Sequence, residues 1–374
     1  MKFASILSAA VVGWASIAAA APTIVSQGPA VQTSTEQFVL HSQQVNRDFL
    51  VEVTGPWVPP LPGQKAPVIY ALDGGYFVEG QSVRLLAAAG AMAPAFVVSV
   101  GYVMNSKDGA RYRNTDLMHV AAMQGEKMDG GGGAKFEAFL MDELRPFIDA
   151  RYPTDPQQAI LVGHSLGGLF AANVLAHRPD AFRAYLIASP SVWAAPDLAV
   201  RLRAAAPAGG GRRVFVGVGG LERQAMTEGA ANVAAALSGP GSKFAVRRQV
   251  YEGQGHLSSY LMLAATALPF LLPPEPAQPP KMRSAISLDP AVLDRYVGVY
   301  RLDEKRTVTI TRQEGQLFGQ MTGLPPVQMF PETPTSFFAT VADAQARFIV
   351  GTDGRARSLV LRLNGSEASA ILVR

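Results

Sequence analysis

No cysteine occurs anywhere in the 374 residues. That one absence excludes a lipoprotein anchor, a disulfide framework and a thiol nucleophile together. An oxidising compartment would therefore do the chain no harm. Charge is scarce as well: 17% of residues are charged and the formal net charge is +4. The short basic clusters Arg212-Arg213 and Arg247-Arg248 stand beside apolar strand-like runs without interleaved aromatics. No nucleic-acid partner is expected from such a pattern, although a mildly basic surface favours anionic small substrates. H-E-x-x-H is missing, as are paired histidines at ligand spacing, which argues against a catalytic zinc and for no metal at all. The glycine run at 130 to 133 has no lysine at P-loop spacing. Its place before "AKFEAFL" suits a helix lead-in rather than a phosphate cradle.

What is present begins with a stretch patterned like an export signal. Residues 1–20 carry a basic start at Lys2, a short apolar run and small residues at Ala18 and Ala20, with Pro22 two residues on. This is the pattern of a cleaved signal peptide, and a periplasmic or secreted chain with no stable membrane insertion is expected. The proline-rich stretch "LLPPEPAQPPKMRSAISLDP" separates two patterned regions. The expected domains are therefore 21–272 and 291–374, joined by a linker over 273–290. In the first, short β-branched runs such as "APVIYAL", "AFVVSVGY" and "AILVG" alternate with helical stretches. That predicts an α/β domain whose mostly parallel sheet is covered by helices on both faces. "EQFVLHS" and "RDFLVEVTG" predict an antiparallel edge. The second domain alternates with period two and has turn signals at Glu314-Gly315, Asp353-Gly354 and Asn364-Gly365, which predicts a small all-β unit.

Gly163-His164-Ser165-Leu166-Gly167 fits G-x-S-x-G, with a buried strand before it and a proline-free helix after it. Such a corner exposes a serine at the carboxyl end of the sheet, so Ser165 is the candidate nucleophile. A hydroxyl needs a base to take its proton, and the chain has five histidines: His41, His119, His164, His177 and His256. In the α/β-hydrolase order the histidine follows the serine, leaving His177 and His256. His177 ends the helix that begins at the serine, roughly 18 Å along the axis, and is read as a helix C-terminal cation. His256, in the glycine-bearing loop "YEGQGHLSSY", is the candidate base. Of the acids between the two, Asp180 and Asp197 have ordinary turn and helix-start explanations. Glu228 falls on a helix and Glu252 at a loop entrance. Glu222, at the end of "RVFVGVGG", is preferred. Oxyanion donors are expected from the Leu166 N–H and from "VIYALDGGYF", where the Gly75 N–H is favoured and Tyr76 is its substitute.

From about Glu36 to Leu272 the chain resembles the esterase D or enterochelin-esterase group of α/β-hydrolases, which includes siderophore esterases, feruloyl esterases and mycolyltransferases. The matching pieces are "YALDGG", "VGY" with the downstream "RNTD", "GGGAKFEAFLMDELRPFIDARYPTD", "GHSLGGLFA", "IASPSVWA", "VGGLE" and "GQGH". The resemblance implies an α/β-hydrolase fold, a Ser165, Glu222 and His256 triad, no cofactor, and an ester as small-molecule substrate, with siderophore trilactones or their linear fragments among the candidates. It also implies that Trp193 and Arg113 lie near the substrate. In the family the segment after Arg113 and Asp116 usually ends in Thr-Pro; here it is Leu117-Met118. The region from about 288 is similar to a small β domain appended to serine β-lactamase-like and esterase proteins, on "YVGVYRL" and "GQLFGQMTG". Acyl transfer by the same triad and a non-catalytic ligand-binding role are the rival functions.

Overall fold

The computed structural model describes residues 34–73, 80–103, 109–124, 127–274, 283–363 and 366–374. The expected signal segment lies outside them. The hairpin of β1 (Thr35–Ser42) and β2 (Arg47–Thr54) leads to β3 (Ala66–Leu72), α1 (Gly80–Ala88), β4 (Phe96–Tyr102) and α2 (Gly109–Leu117). A short ladder of β5 (Ala122–Gln124) and β6 (Lys127–Asp129) precedes α3 (Gly133–Ala138), a π-helical turn at Phe139–Leu144 and α4 (Arg145–Arg151). Then follow β7 (Thr154–His164), α5 (Leu166–His177), β8 (Ala184–Ala188), α6 (Leu198–Ala205), β9 (Arg213–Gly219), α7 (Gln224–Ser238), β10 (Ala245–Tyr251) and α8 (Ser258–Leu271).

The main sheet has the order β1-β2-β4-β3-β7-β8-β9-β10. Its first three strands pair antiparallel and the rest are parallel. The predicted antiparallel edge is thus formed by β1 and β2. Because side chains alternate along a strand, β3 feeds two cores: Val68, Tyr70 and Leu72 face one, Ile69 and Ala71 the other. Helices α5, α6 and α7 cover the first face, and α1 and α8 the second. Helix α5 is buried from Leu166 to Leu175, as expected of a helix that is apolar all round. At the other edge, Arg247 and Arg248 on β10 are exposed. This basic cluster charges an edge strand that would otherwise invite pairing. Among the described residues no helix is long and apolar enough to cross a membrane.

The C-terminal region forms a closed antiparallel barrel. After α9 (Pro290–Leu293) it runs through β11 (Gly298–Arg301), β12 (Thr307–Gln313), β13 (Gln316–Met321), β14 (Val327–Pro331), β15 (Ser336–Phe338), β16 (Ala344–Val350), β17 (Ala356–Leu363) and β18 (Ser366–Leu372). Pairing of Tyr300 with Leu372 closes the ring. Glu314 and Gly315 both have positive φ, 47° and 79°, as the expected two-residue hairpin turn requires; Asn364-Gly365 lies outside the described residues. Rings of Tyr296, Tyr300, Phe337 and Phe348 fill the interior. Arg283 pairs with Glu332 at 2.5 Å and the Ile286 N–H donates to the Pro331 carbonyl at 2.8 Å. This end of the proline-rich stretch is therefore bound to the barrel. Leu61, from the β2–β3 connection, joins the barrel's core, and Arg306 donates to the Pro60 carbonyl at 2.7 Å.

Candidate active site

Ser165 stands between β7 and α5 with φ 61° and ψ −116°. A non-glycine residue rarely adopts positive φ, and here the surroundings hold it there. Its N–H donates to the Ala188 carbonyl at 2.9 Å, and its carbonyl accepts from the Ser191 and Leu169 N–H groups at 3.1 and 3.0 Å. The corner depends on missing side chains. A Cβ on Gly163 would collide with the Gly167 carbonyl, and one on Gly168 would lie 2.5 Å from the Ala188 carbonyl oxygen. Gly167, the last glycine of the motif, is roomier, its nearest neighbour being Asp73 Oδ2 at 3.3 Å.

The fold brings Glu222 and His256 together from the ends of two neighbouring strands. Glu222 follows β9, and its Oε2 is 2.6 Å from His256 Nδ1. Its other oxygen accepts from Ser189 Oγ at 2.6 Å and from the Gly219 N–H at 2.8 Å. Burial alone would raise the Glu222 carboxyl, but the hydrogen bonds from His256, Ser189 and Gly219 outweigh it and hold the group below the usual carboxylate range. A carboxylate fixed at both oxygens can orient one imidazole. The His256 loop is tied down by the Leu221 N–H donating to the Gln254 carbonyl at 2.9 Å and by Ser258 Oγ accepting from the Gly255 N–H at 2.9 Å. Among the described residues the Ser165 hydroxyl has Ser191 Oγ as its partner, at 3.3 Å. His256 makes its side-chain bond to Glu222.

Two supports carry no sequence cue. His164 packs against His256, the two ring centroids 4.4 Å apart, with Nε2 2.8 Å from the His256 carbonyl oxygen. Burial, and then the neighbouring His256, push its pKa down to about 4. Ser189 fixes Glu222, and only the folded register of β8 against β9 reveals it.

Of the remaining candidates, the Leu166 N–H stands at the start of α5, directly after Ser165. Gly75 and Tyr76 lie outside the described residues. Arg113 is engaged with the carboxylate of Asp73 through two bonds of 2.5 and 2.6 Å, and its Nη2 approaches the His164 carbonyl at 3.4 Å. Asp116 pairs with Arg47 at 2.9 Å. Trp193 is 44% exposed in the turn after Ser191. It helps line a cavity of about 300 Å³ with Val192, Pro196, Leu198, Glu228 and Asn232. Asp197 occupies the N-cap position of α6 but gives its carboxylate to Arg201 at 2.8 Å rather than to the helix N–H groups, and Glu228 bonds Gln224 on α7. His177 ends α5 and bonds Glu137, which raises its pKa.

Residues 42–262 match the family model described as Putative esterase. The chain belongs to this esterase family. A second model, Domain of unknown function (DUF3471), matches residues 282–370, the barrel. The chain is 33% identical over 175 residues to the ferri-bacillibactin esterase BesA of Bacillus subtilis, covering 43% of this chain and 60% of that one. It is 32% identical over 173 residues to the siderophore triacetylfusarinine C esterase of Aspergillus fumigatus, covering 44% and 58%. These matches thus span about three fifths of each curated relative. The crystal structure of the BES protein from Bacillus cereus superposes with a TM-score of 0.59 at 28% identity, over 67% of this chain and 99% of that one.

Proposed function

We propose that this family member is an exported serine ester hydrolase that uses Ser165, His256 and Glu222. The observation that carries the proposal is the 2.6 Å bond between Glu222 and His256, made by a carboxylate whose other oxygen is already held. With Nδ1–H given to Glu222, His256 offers Nε2 as the base. Ser165 Oγ attacks the ester carbonyl carbon as its proton passes to Nε2. The oxyanion takes the Leu166 N–H and a second donor from the Gly75 segment. The imidazolium then protonates the leaving alcohol, and water, deprotonated by the same imidazole, releases the acid from Ser165. Catalytic hydrogen bonds tighten when substrate binds, so Ser165 exchanges its Ser191 partner for His256 in the reacting complex.

The names of the similar esterases support a siderophore ester, a cyclic trilactone or its linear fragments, as the substrate class. The signal-like residues 1–20 support export, with a mature chain beginning at Ala21. The test is to compare kcat/KM of purified mature protein on a catechol-siderophore trilactone and on short-chain p-nitrophenyl esters, with and without an acceptor alcohol. Preferred turnover of the trilactone to free acids fits the proposal. Product diverted to the acceptor at the expense of hydrolysis would make the enzyme an acyltransferase. Turnover of neither ester class would contradict the activity.

A further inference from the structure

At the end of α5 remote from Ser165, three side chains from separate segments converge. His119, in the connection after α2, places Nε2 3.1 Å from Glu137 Oε2, and His177, the last residue of α5, places its Nε2 2.8 Å from the same oxygen. All three atoms lie within 4.8 Å of one another. Arg178 approaches the other carboxylate oxygen at 3.3 Å, leaving Oε2 to the imidazoles. Glu137 is 5% exposed. The ring of His119 stacks on Phe170 at 5.2 Å.

We propose that His119, Glu137 and His177 form a binding site for a divalent cation of the zinc class, separate from the ester-cleaving centre. In a tetrahedral zinc site, bonds of about 2.0–2.1 Å set neighbouring ligand atoms about 3.3 Å apart. The two histidine-to-glutamate separations, 3.1 and 2.8 Å, need only a small outward shift to admit the ion. Two imidazole nitrogens and one carboxylate oxygen are a donor set for zinc or cobalt, whereas magnesium and calcium ask for oxygens. The His177 side chain is 43% exposed, so the fourth position opens to water and the ion has an entry path. Arg178 opposes the cation's charge, which makes the ion exchangeable with a chelator. Bound there, it ties the connection after α2, helix α3 and the end of α5 into one unit. Roughly 18 Å of helix separates it from Ser165, so its effect is on stability.

The test uses tag-free protein stripped with chelator and titrated with zinc chloride by calorimetry, and with cobalt chloride by visible absorption. Expected are one zinc per chain, a cobalt spectrum of low-symmetry nitrogen and oxygen ligation, and a raised Tm. His177→Ala and Glu137→Gln should each weaken zinc binding at least tenfold, while Ser165→Ala leaves it unchanged. Should the buried Glu137 variant fail to fold, His177→Ala decides alone, since its side chain is partly in solvent. No saturable zinc binding, or binding as tight in His177→Ala as in wild type, would overturn the proposal.

Discussion

His164 Nε2 lies 2.8 Å from the main-chain carbonyl oxygen of His256, and the two rings pack at a 45° tilt with centroids 4.4 Å apart. A carbonyl only accepts, so Nε2 carries the proton, and a pKa near 4 keeps the ring neutral at neutral pH. The residue just before Ser165 therefore holds the backbone of His256. His164→Ala should lower kcat about ten- to a hundredfold with little change in KM, because small misplacements of a base are costly. His164→Gln, which can present an amide N–H in the same direction, should recover part of the loss. An equal loss in both variants, accompanied by a collapsed Tm, would reduce His164 to a packing residue.

The same histidine makes a signed statement about acid stability. Its unfolded side chain titrates at 6.5 and the folded one at about 4, so between those values the unfolded state binds more protons. Stability from this group is complete above pH 6.5 and is lost as pH falls towards 4, about 3 kcal/mol in all. Asp116, raised by burial to about 6, works in the opposite direction. The useful quantity is thus the difference between wild type and His164→Gln in urea unfolding across pH 7.5 to 4. That difference should shrink as pH falls, and parallel profiles would contradict the assignment.

The glycines at the corner should divide sharply. Gly167→Ala places its Cβ 3.3 Å from a single carboxylate oxygen and should stay within about 1 kcal/mol of wild type. Gly168→Ala meets the Ala188 carbonyl at 2.5 Å and should cost about 2–3 kcal/mol or more. Chemical denaturation of the two variants checks the order, although only Gly167 belongs to the motif.

Leu61, 3% exposed within the barrel's core, makes the β2–β3 connection part of the barrel's stability. Leu61→Ala should cost about 2–5 kcal/mol, the range for emptying a leucine site. Thermal unfolding should show the barrel's transition moving down. An unchanged melt would mean that the connection packs on the barrel without supporting it.

Much of this was legible because it is local. The elbow occupies five consecutive residues whose order alone fixes strand, corner and helix, and the parallel sheet follows from apolar β-branched runs between helices. Glu222 and His256 were readable as candidates from chain order and strand ends. What tertiary contact creates was not readable. Ser189 and His164 are ordinary small and polar residues until β8, β9 and the His256 loop meet. His119, Glu137 and His177 are distant in sequence, so a search for ligand spacing passes over them. Alternation in the C-terminal region signals strands, yet closure rests on β11 pairing with β18 across the whole domain. The bond of Arg113, expected beside the substrate, to Asp73, a partner 40 residues earlier, is likewise a product of the fold.

The most direct test of the central claim is steady-state hydrolysis of a p-nitrophenyl ester by wild type, Ser165→Ala, His256→Ala and Glu222→Gln, with Tm measured on each. Loss of Ser165 or His256 should reduce kcat by several orders of magnitude, and Glu222→Gln by about 10⁴-fold, with all three still folded. Undiminished hydrolysis by a folded Ser165→Ala protein would place the nucleophile elsewhere and contradict the mechanism.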